Sequence, residues 1–201
     1  MGAVALCGNE EFRMKLMNQK PVLICIDLQQ GFLEEDSWGG NRNNKTAEEV
    51  SSKIIARWRE MDEEIIHVRH SSTNAESKLH QSSSGFNFNP LCQPIEGETI
   101  LTKSVNSCFI GTSLKEILDA RDCETLVIIG LTTDHCVSTT TRMASNYGYK
   151  CYLISDATAT FNRIGVNGET YDSELVHLTA LASLKDEFAT ILSCDDLMKL
   201  L

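Results

Sequence analysis

TLVIIGLTTDHCVSTTTRMA, residues 125–144, is the stretch on which the reading of the fold turns. Residues 125–129 are apolar or β-branched at every position, which is the pattern of a strand buried on both faces. The Thr-rich continuation through 149 reads as a helix, so Cys136 lies where a strand hands over to a helix. The same alternation recurs in both directions. PVLICIDLQ (21–29), EIIHVRH (64–70), TILTKSV (99–105), KCYLISDA (150–157) and ATILS (189–193) read as strands. Helices are expected over AEEVSSKIIARWREMD (47–62), GTSLKEILDARDC (111–123) and SELVHLTALASLKDEF (173–188), with Thr46 and Glu49 spaced as a capping box. Apolar strands separated by helices predict a doubly wound α/β fold, with a mostly parallel six-stranded sheet and helices on both faces in three layers. One domain is expected over 1–201, residues 1–20 being an N-terminal extension. Residues 71–98 (SSTNAESKLHQSSSGFNFNPLCQPIEGE) are too polar and too often broken by Gly and Pro to form an element, and loops of that length are usually functional.

Composition narrows the function. A formal charge of -10, with no run of Lys and Arg, argues against nucleic acid or an anionic membrane as partner. The apolar runs are strand-sized, far short of a membrane span. The 8 cysteines fall singly, without C-x-x-C spacing, and are read as free thiols of a reducing compartment. MGAVALCGNEEF lacks the basic segment and apolar core of a signal peptide, and Leu6 does not suit myristoylation. Cytoplasm is the expected location, and export without a signal peptide is compatible with the same features.

In a doubly wound sheet, ligands bind beyond the carboxyl ends of the strands. Asp27, Lys103 and Cys136 each fall at such an end. A thiol in the first turn of a helix meets unpaired N–H groups and the positive end of the macrodipole, which favour the thiolate. A carboxylate can take its proton, and an ammonium can hold both anions. Spacing alone does not bring the three together.

Three motifs, ICIDLQQGF around Asp27, LTKSVNSCFIGTSL around Lys103 and GLTTDHCVSTTTRMA around Cys136, resemble those of the isochorismatase-like cysteine hydrolases. The resemblance continues through SDATATF to Phe161 and SELVH to His177, covering most of the chain beyond the N-terminal extension. It implies a catalytic triad in which Cys136 is the nucleophile, Asp27 accepts the thiol proton and later passes it to the leaving group, and Lys103 stands beside them. It also implies a non-proline cis peptide between Leu131 and Thr132, and an oxyanion hole built from the backbone N–H groups of Thr132 and Cys136. The implied reaction is hydrolysis of a small amide through a Cys thioester, without a cofactor, in a homodimer or homotetramer. Hydrolysis of the vinyl ether of isochorismate to pyruvate, with Asp27 protonating carbon, is the alternative within the family. A non-catalytic interaction protein on the same fold is the alternative of another class.

Metal-dependent nicotinamidases of this family carry an Asp-x-His pair after the second strand, and HVRHSSTNAESKLH (67–80) lacks it. His67 and His70, on one strand at opposite parity, point to opposite faces, so no metal is expected. Phe32, Trp38, Phe86 and Phe161 are candidate pocket walls, against the simpler reading of plain core. Arg69 is a candidate for holding a substrate carboxylate or forming an internal ion pair. Asp134 and His135 are expected to face solvent or cap the helix, and His177 to pack rather than catalyse. A Cys-His hydrolase based on His177 or His67 would leave Asp27 and Lys103 without roles.

Overall fold

The computed structural model describes Leu16 and residues 19–201, so the extension expected over 1–20, with Leu6 and Cys7, lies almost wholly outside the described residues. The strands are β1 (Val22–Ile26), β2 (Ile65–His70), β3 (Thr99–Lys103), β4 (Thr125–Leu131), β5 (Lys150–Ala159), β6 (Arg163–Ile164), β7 (Thr170–Tyr171) and β8 (Thr190–Leu192). The α-helices are α1 (Ala47–Glu60), α2 (Leu114–Ala120), α3 (Ser138–Asn146), α4 (Ser173–Leu184) and α5 (Cys194–Leu200). One six-stranded sheet runs in the order β3-β2-β1-β4-β5-β8. Every neighbouring pair in it is parallel. β6 and β7 form a separate antiparallel ribbon.

Strand parity explains why the strands are apolar throughout. Leu23, Cys25, Val127 and Ile129 pack with Ile54, Ile55 and Trp58 of α1 and Leu197 and Leu200 of α5. Val22, Ile24, Ile26, Leu126 and Ile128 pack on the other face with residues of α2, α3 and α4. Each such aliphatic side chain contributes about 1.5–3 kcal/mol on burial. The chain builds outward from β1 through β2 to β3, then returns to β4 on the other side of β1. Helices on opposite faces keep both directions of winding right-handed. The winding reverses between β1 and β4, and the crevice there is where this architecture binds ligands.

Gly130 makes that crevice tight. Its φ is +123°, and a β-carbon on it would lie 1.9 Å from the Ile26 carbonyl oxygen. Gly130→Ala is therefore expected to cost about 2–4 kcal/mol, read as a lower urea midpoint at unchanged m-value. An unchanged midpoint would contradict this close approach of β1 and β4.

Several local expectations differ from the structure. Thr46 precedes α1 with φ -103° and ψ 14°, not the extended geometry of an N-cap, and its side chain makes no capping hydrogen bond, so the capping box does not form. Residues Thr133–Val137 make a π-helical turn before α3 begins. β5 continues to Ala159 after a register shift that follows the Ile128–Leu153 pair. α5 and the ribbon are additions to the sequence reading. The 71–98 segment is built of turns, with short 3-10 turns started by Ser83 and Asn89, whose side chains accept backbone N–H groups. No helix among the described residues is long and apolar enough to cross a membrane.

Candidate active site

Asp27 follows β1 with φ +52°, and its N–H donates to Val68 O at 2.7 Å, tying it to the end of β2. Lys103 is the last residue of β3. Its Nζ donates to Asp27 Oδ2 at 2.7 Å and to Cys136 Sγ at 3.2 Å, and lies 3.1 Å from His70 Nδ1. The Asp27 and Lys103 side chains are fully buried. Asp27 Oδ1 is also buried and has no hydrogen-bond partner among the described residues. One carboxylate oxygen thus holds the ammonium and the other is open, in the same cluster as the thiol. The Cys136 thiol also lies 3.7 Å from Asn106 Oδ1. The Leu131–Thr132 peptide is cis, as the resemblance implied.

Burial opposes a charge on Lys103, but the Asp27 carboxylate that accepts its hydrogen bond outweighs this and holds the ammonium above the ordinary lysine range. For Cys136, burial and then the Asp27 carboxylate push the thiol well above its usual value, and the pull of Lys103 does not reverse this. The resting pair is therefore a neutral thiol beside an ammonium. Burial and the Asp27 carboxylate thus oppose the thiolate that the helix end and Lys103 favour. Burial, followed by the Lys103 ammonium, depresses His70, so its ring is neutral and Nδ1 can accept from Lys103.

His67 and His177 are depressed as well, again chiefly by burial. An unfolded chain takes up protons near pH 6.5, which these three folded rings resist. Their contribution to stability is thus present above that pH and is lost as pH falls through it. The urea midpoint is expected to drop between about pH 7.5 and pH 5.5, and a flat or rising midpoint would contradict this burial.

Donor atoms of Asp27, His70 and Cys136 lie within 4.8 Å of one another, close enough on distance alone to hold a metal ion. They converge, however, on the Lys103 ammonium, which already supplies the positive charge at their centre. The donor set therefore suits an ammonium better than a resident metal ion.

Asp27 and Cys136 lie in a cavity of about 250 Å³ at the switch point. Phe32, Trp38 and Leu79 supply apolar walls, while Asn106, His135 and Arg163 are polar members. A larger groove of about 820 Å³ contains none of the three reactive groups; its lining includes Val22 and Ile65, at the amino ends of β1 and β2. The ligand crevice of this architecture lies at the opposite, carboxyl ends of the strands.

Of the aromatic candidates, Phe32 and Trp38 line the cavity with ring centroids 4.6 Å apart. Phe161 is fully buried and stacks against both, so it supports the wall from behind. Phe86 does not line the cavity; the Arg69 guanidinium lies 4.3 Å from its ring centroid. Arg69 donates to Thr102 Oγ1 at 3.1 Å, does not line the cavity and forms no ion pair among the described residues. The physical reason is parity: Arg69 shares a strand face with His67, and His70 projects on the other. His67 meets Glu98 at 2.9 Å, and His177 Nδ1 lies 2.8 Å from Thr133 Oγ1, the packing role expected of it. Asp134 is not solvent-facing, since it pairs with Arg163. His135 is exposed at the cavity.

Sequence reasoning weighed His70 only as a metal ligand, and it passed over Asn106 and Arg163. His70 had a usable signal, ending the strand that lies between those of Asp27 and Lys103. Arg163 had none, because it is placed by contacts between distant loops. Asn162 N donates to Gly40 O, Asn43 N donates to Thr160 O, and a β-carbon on Gly39 would meet Asn162 O at 2.3 Å. Gln29 makes a further cross-link. Its Nε2 donates to His70 O and Phe86 O at 3.0 and 2.9 Å, and its Oε1 accepts from His70 N at 2.8 Å.

Comparison with known proteins agrees with this geometry. The isochorismatase domain matches residues 21–196. An uncharacterized isochorismatase family protein of Bacillus subtilis, YrdC, is 47% identical over 182 residues, covering 90% of this chain and 96% of that protein. The crystal structure of a hydrolase assigned to the isochorismatase family from Chromobacterium violaceum superposes with a TM-score of 0.86 at 34% identity, covering 90% of this chain and 94% of that one. Maleamate amidohydrolase of Pseudomonas putida is 24% identical over 152 residues, 69% of this chain and 71% of that enzyme. The chain belongs to the isochorismatase family, and it is a hydrolase of that family.

Proposed function

We propose that this hydrolase cleaves the C–N bond of a small amide through a thioester on Cys136. The observation that carries the reading is the shared ammonium: Lys103 binds both the thiol sulfur and one oxygen of Asp27, leaving the other oxygen open as the proton acceptor. As sulfur attacks the carbonyl carbon, the thiol proton passes to Asp27, and the carbonyl oxygen gains the electron pair. The N–H groups of Thr132 and Cys136 hold that oxyanion, a device worth about 100- to 1,000-fold per donor. The C–N bond then breaks, and Asp27 returns its proton to the departing amine. Asp27 next deprotonates a water that attacks the thioester, releasing the acid and the thiol. Lys103 keeps the carboxylate and sulfur in register throughout.

The amide chemistry of the Pseudomonas relative supports this reading. The vinyl-ether alternative needs a seat for carboxylates; Arg69 lies outside the cavity, and Arg163 within its lining is paired with Asp134. A single domain, a cytoplasmic location and a homodimer or homotetramer complete the proposal. Seven unpaired cysteines among the described residues support a reducing compartment, and Leu175 and Leu178, exposed on α4, offer an assembly face. The test is rapid acid quenching of enzyme with a panel of small amides, followed by mass spectrometry. An acyl mass on the Cys136 peptide is expected; turnover without such an adduct, undiminished in a Cys136→Ala variant, would refute the covalent route.

A further inference from the structure

The cavity contains a guanidinium, and the structure shows how its bonding capacity is used. Arg163 Nε donates to Asp134 Oδ2 at 2.8 Å. Nη2 donates to Asp134 Oδ1 at 3.2 Å and to Thr160 Oγ1 at 3.1 Å. Nη1 donates to Trp38 O at 3.1 Å and to Asn162 O at 3.4 Å. A guanidinium has five N–H groups, and here each has a protein acceptor. Asp134 is itself fixed by Thr160, whose hydroxyl donates to Oδ1 at 2.5 Å, and His135 Nε2 lies 3.4 Å from Oδ2. Arg163 lines the cavity, while Asp134 is not among the lining residues and backs it from the turn that leads to Cys136. The other cation of the site, Lys103, is bound to Asp27. The Trp38 indole N–H is also committed, to Gly31 O at 2.8 Å.

We propose that Asp134 sets the charge selectivity of the pocket: by saturating Arg163 it makes the site accept uncharged small amides and exclude those bearing a carboxylate. A carboxylate entering the cavity would lose water and meet two cations already neutralised, beside the apolar faces of Phe32, Trp38 and Leu79. A desolvated anion without a partner is strongly disfavoured. Asp134 acts through Arg163 and is a specificity-determining residue, not a catalytic one. The substrate class rests on the amide-hydrolase reading above, whereas the charge selectivity can be measured without it.

The measurement compares alkylation of Cys136 by neutral iodoacetamide and by anionic iodoacetate at about pH 8, quantified on the Cys136 peptide. In each case sulfur displaces iodide, so thiol ionisation cancels in the ratio of the two rates. Normalised to a small free thiol, the wild-type ratio is expected to favour iodoacetamide. Asp134→Asn, nearly isosteric, uncovers one positive charge and should raise relative iodoacetate reactivity about tenfold. Arg163→Gln uncovers a negative charge and should lower it by a similar factor. The double variant should return close to the wild-type ratio. Shifts of the same sign in both single variants, or no shift in either while the fold is intact by circular dichroism, would overturn the proposal. Turnover of matched amides with and without a carboxylate then tests the substrate consequence. A shifted alkylation ratio with no amide turned over would refute the hydrolytic reading and leave the charge selectivity standing.

Discussion

Cys136→Ala is expected to lower kcat/KM for an amide substrate by about 10⁴-fold or more, while the protein stays folded. Alanine removes the sulfur but leaves Lys103 bound to Asp27 and near His70, so no buried charge loses its partner. The loss should therefore be confined to chemistry, with a urea midpoint close to wild type. Residual turnover reports what Asp27 and water accomplish without a nucleophile. Retention of activity within about tenfold would mean that the carboxylate drives the reaction directly, as in the vinyl-ether chemistry.

Lys103→Met combines two effects. Methionine roughly matches the length of lysine without its charge, so a fully buried carboxylate would lose its counter-charge. Breaking a buried pair from one side costs about 3–5 kcal/mol, which should appear as a large fall in urea midpoint. The Cys136 thiol should also become harder to ionise, since Lys103 is the group that pulls it down. Iodoacetamide should then modify Cys136 more slowly at fixed pH, and kcat should fall by about 10²–10⁴-fold. Lys103→Arg should not restore function, because a planar, bulky guanidinium cannot stand in for a point charge among three close partners. Normal thiol reactivity in Lys103→Met would contradict the shared-ammonium arrangement.

Much of this was legible in the sequence because it depends on period and position. Uninterrupted apolar runs such as TLVII require burial on both faces, and that requirement produces the parallel sheet. Strand ends place reactive residues, and Asp27, Lys103 and Cys136 meet there as the motifs implied. The parity of β2 separated His67 from His70, but applying it further would have put Arg69 on the wrong face for the cavity. What the sequence hid depends on energy balance or on distant contacts. Proximity to a helix end suggested a thiolate, whereas the depth of burial that reverses this is a property of the assembled core. The partnership of Asp134 with Arg163 requires the 39–43 and 160–163 segments to zip together, and no periodicity encodes that.

Gln29 adds a consequence for how such a pocket changes over time. What it grips in the long loop is the carbonyl of Phe86, and what it grips in β2 is the main chain of His70. Any side chain at position 86 presents the same carbonyl. That grip is blind to the side chain at 86, but the rest of the loop is not: Leu79 is buried in the core, Ser72 and Ser77 accept the backbone N–H groups of Asn74 and Leu79, and a β-carbon on Gly85 would meet Lys78 O at 2.4 Å. A segment tied in this way does not exchange its walls independently of the floor: a new side chain at Leu79 must also fill the core space that leucine occupies, while Gln29 and Gln30 keep the backbone beside it in place.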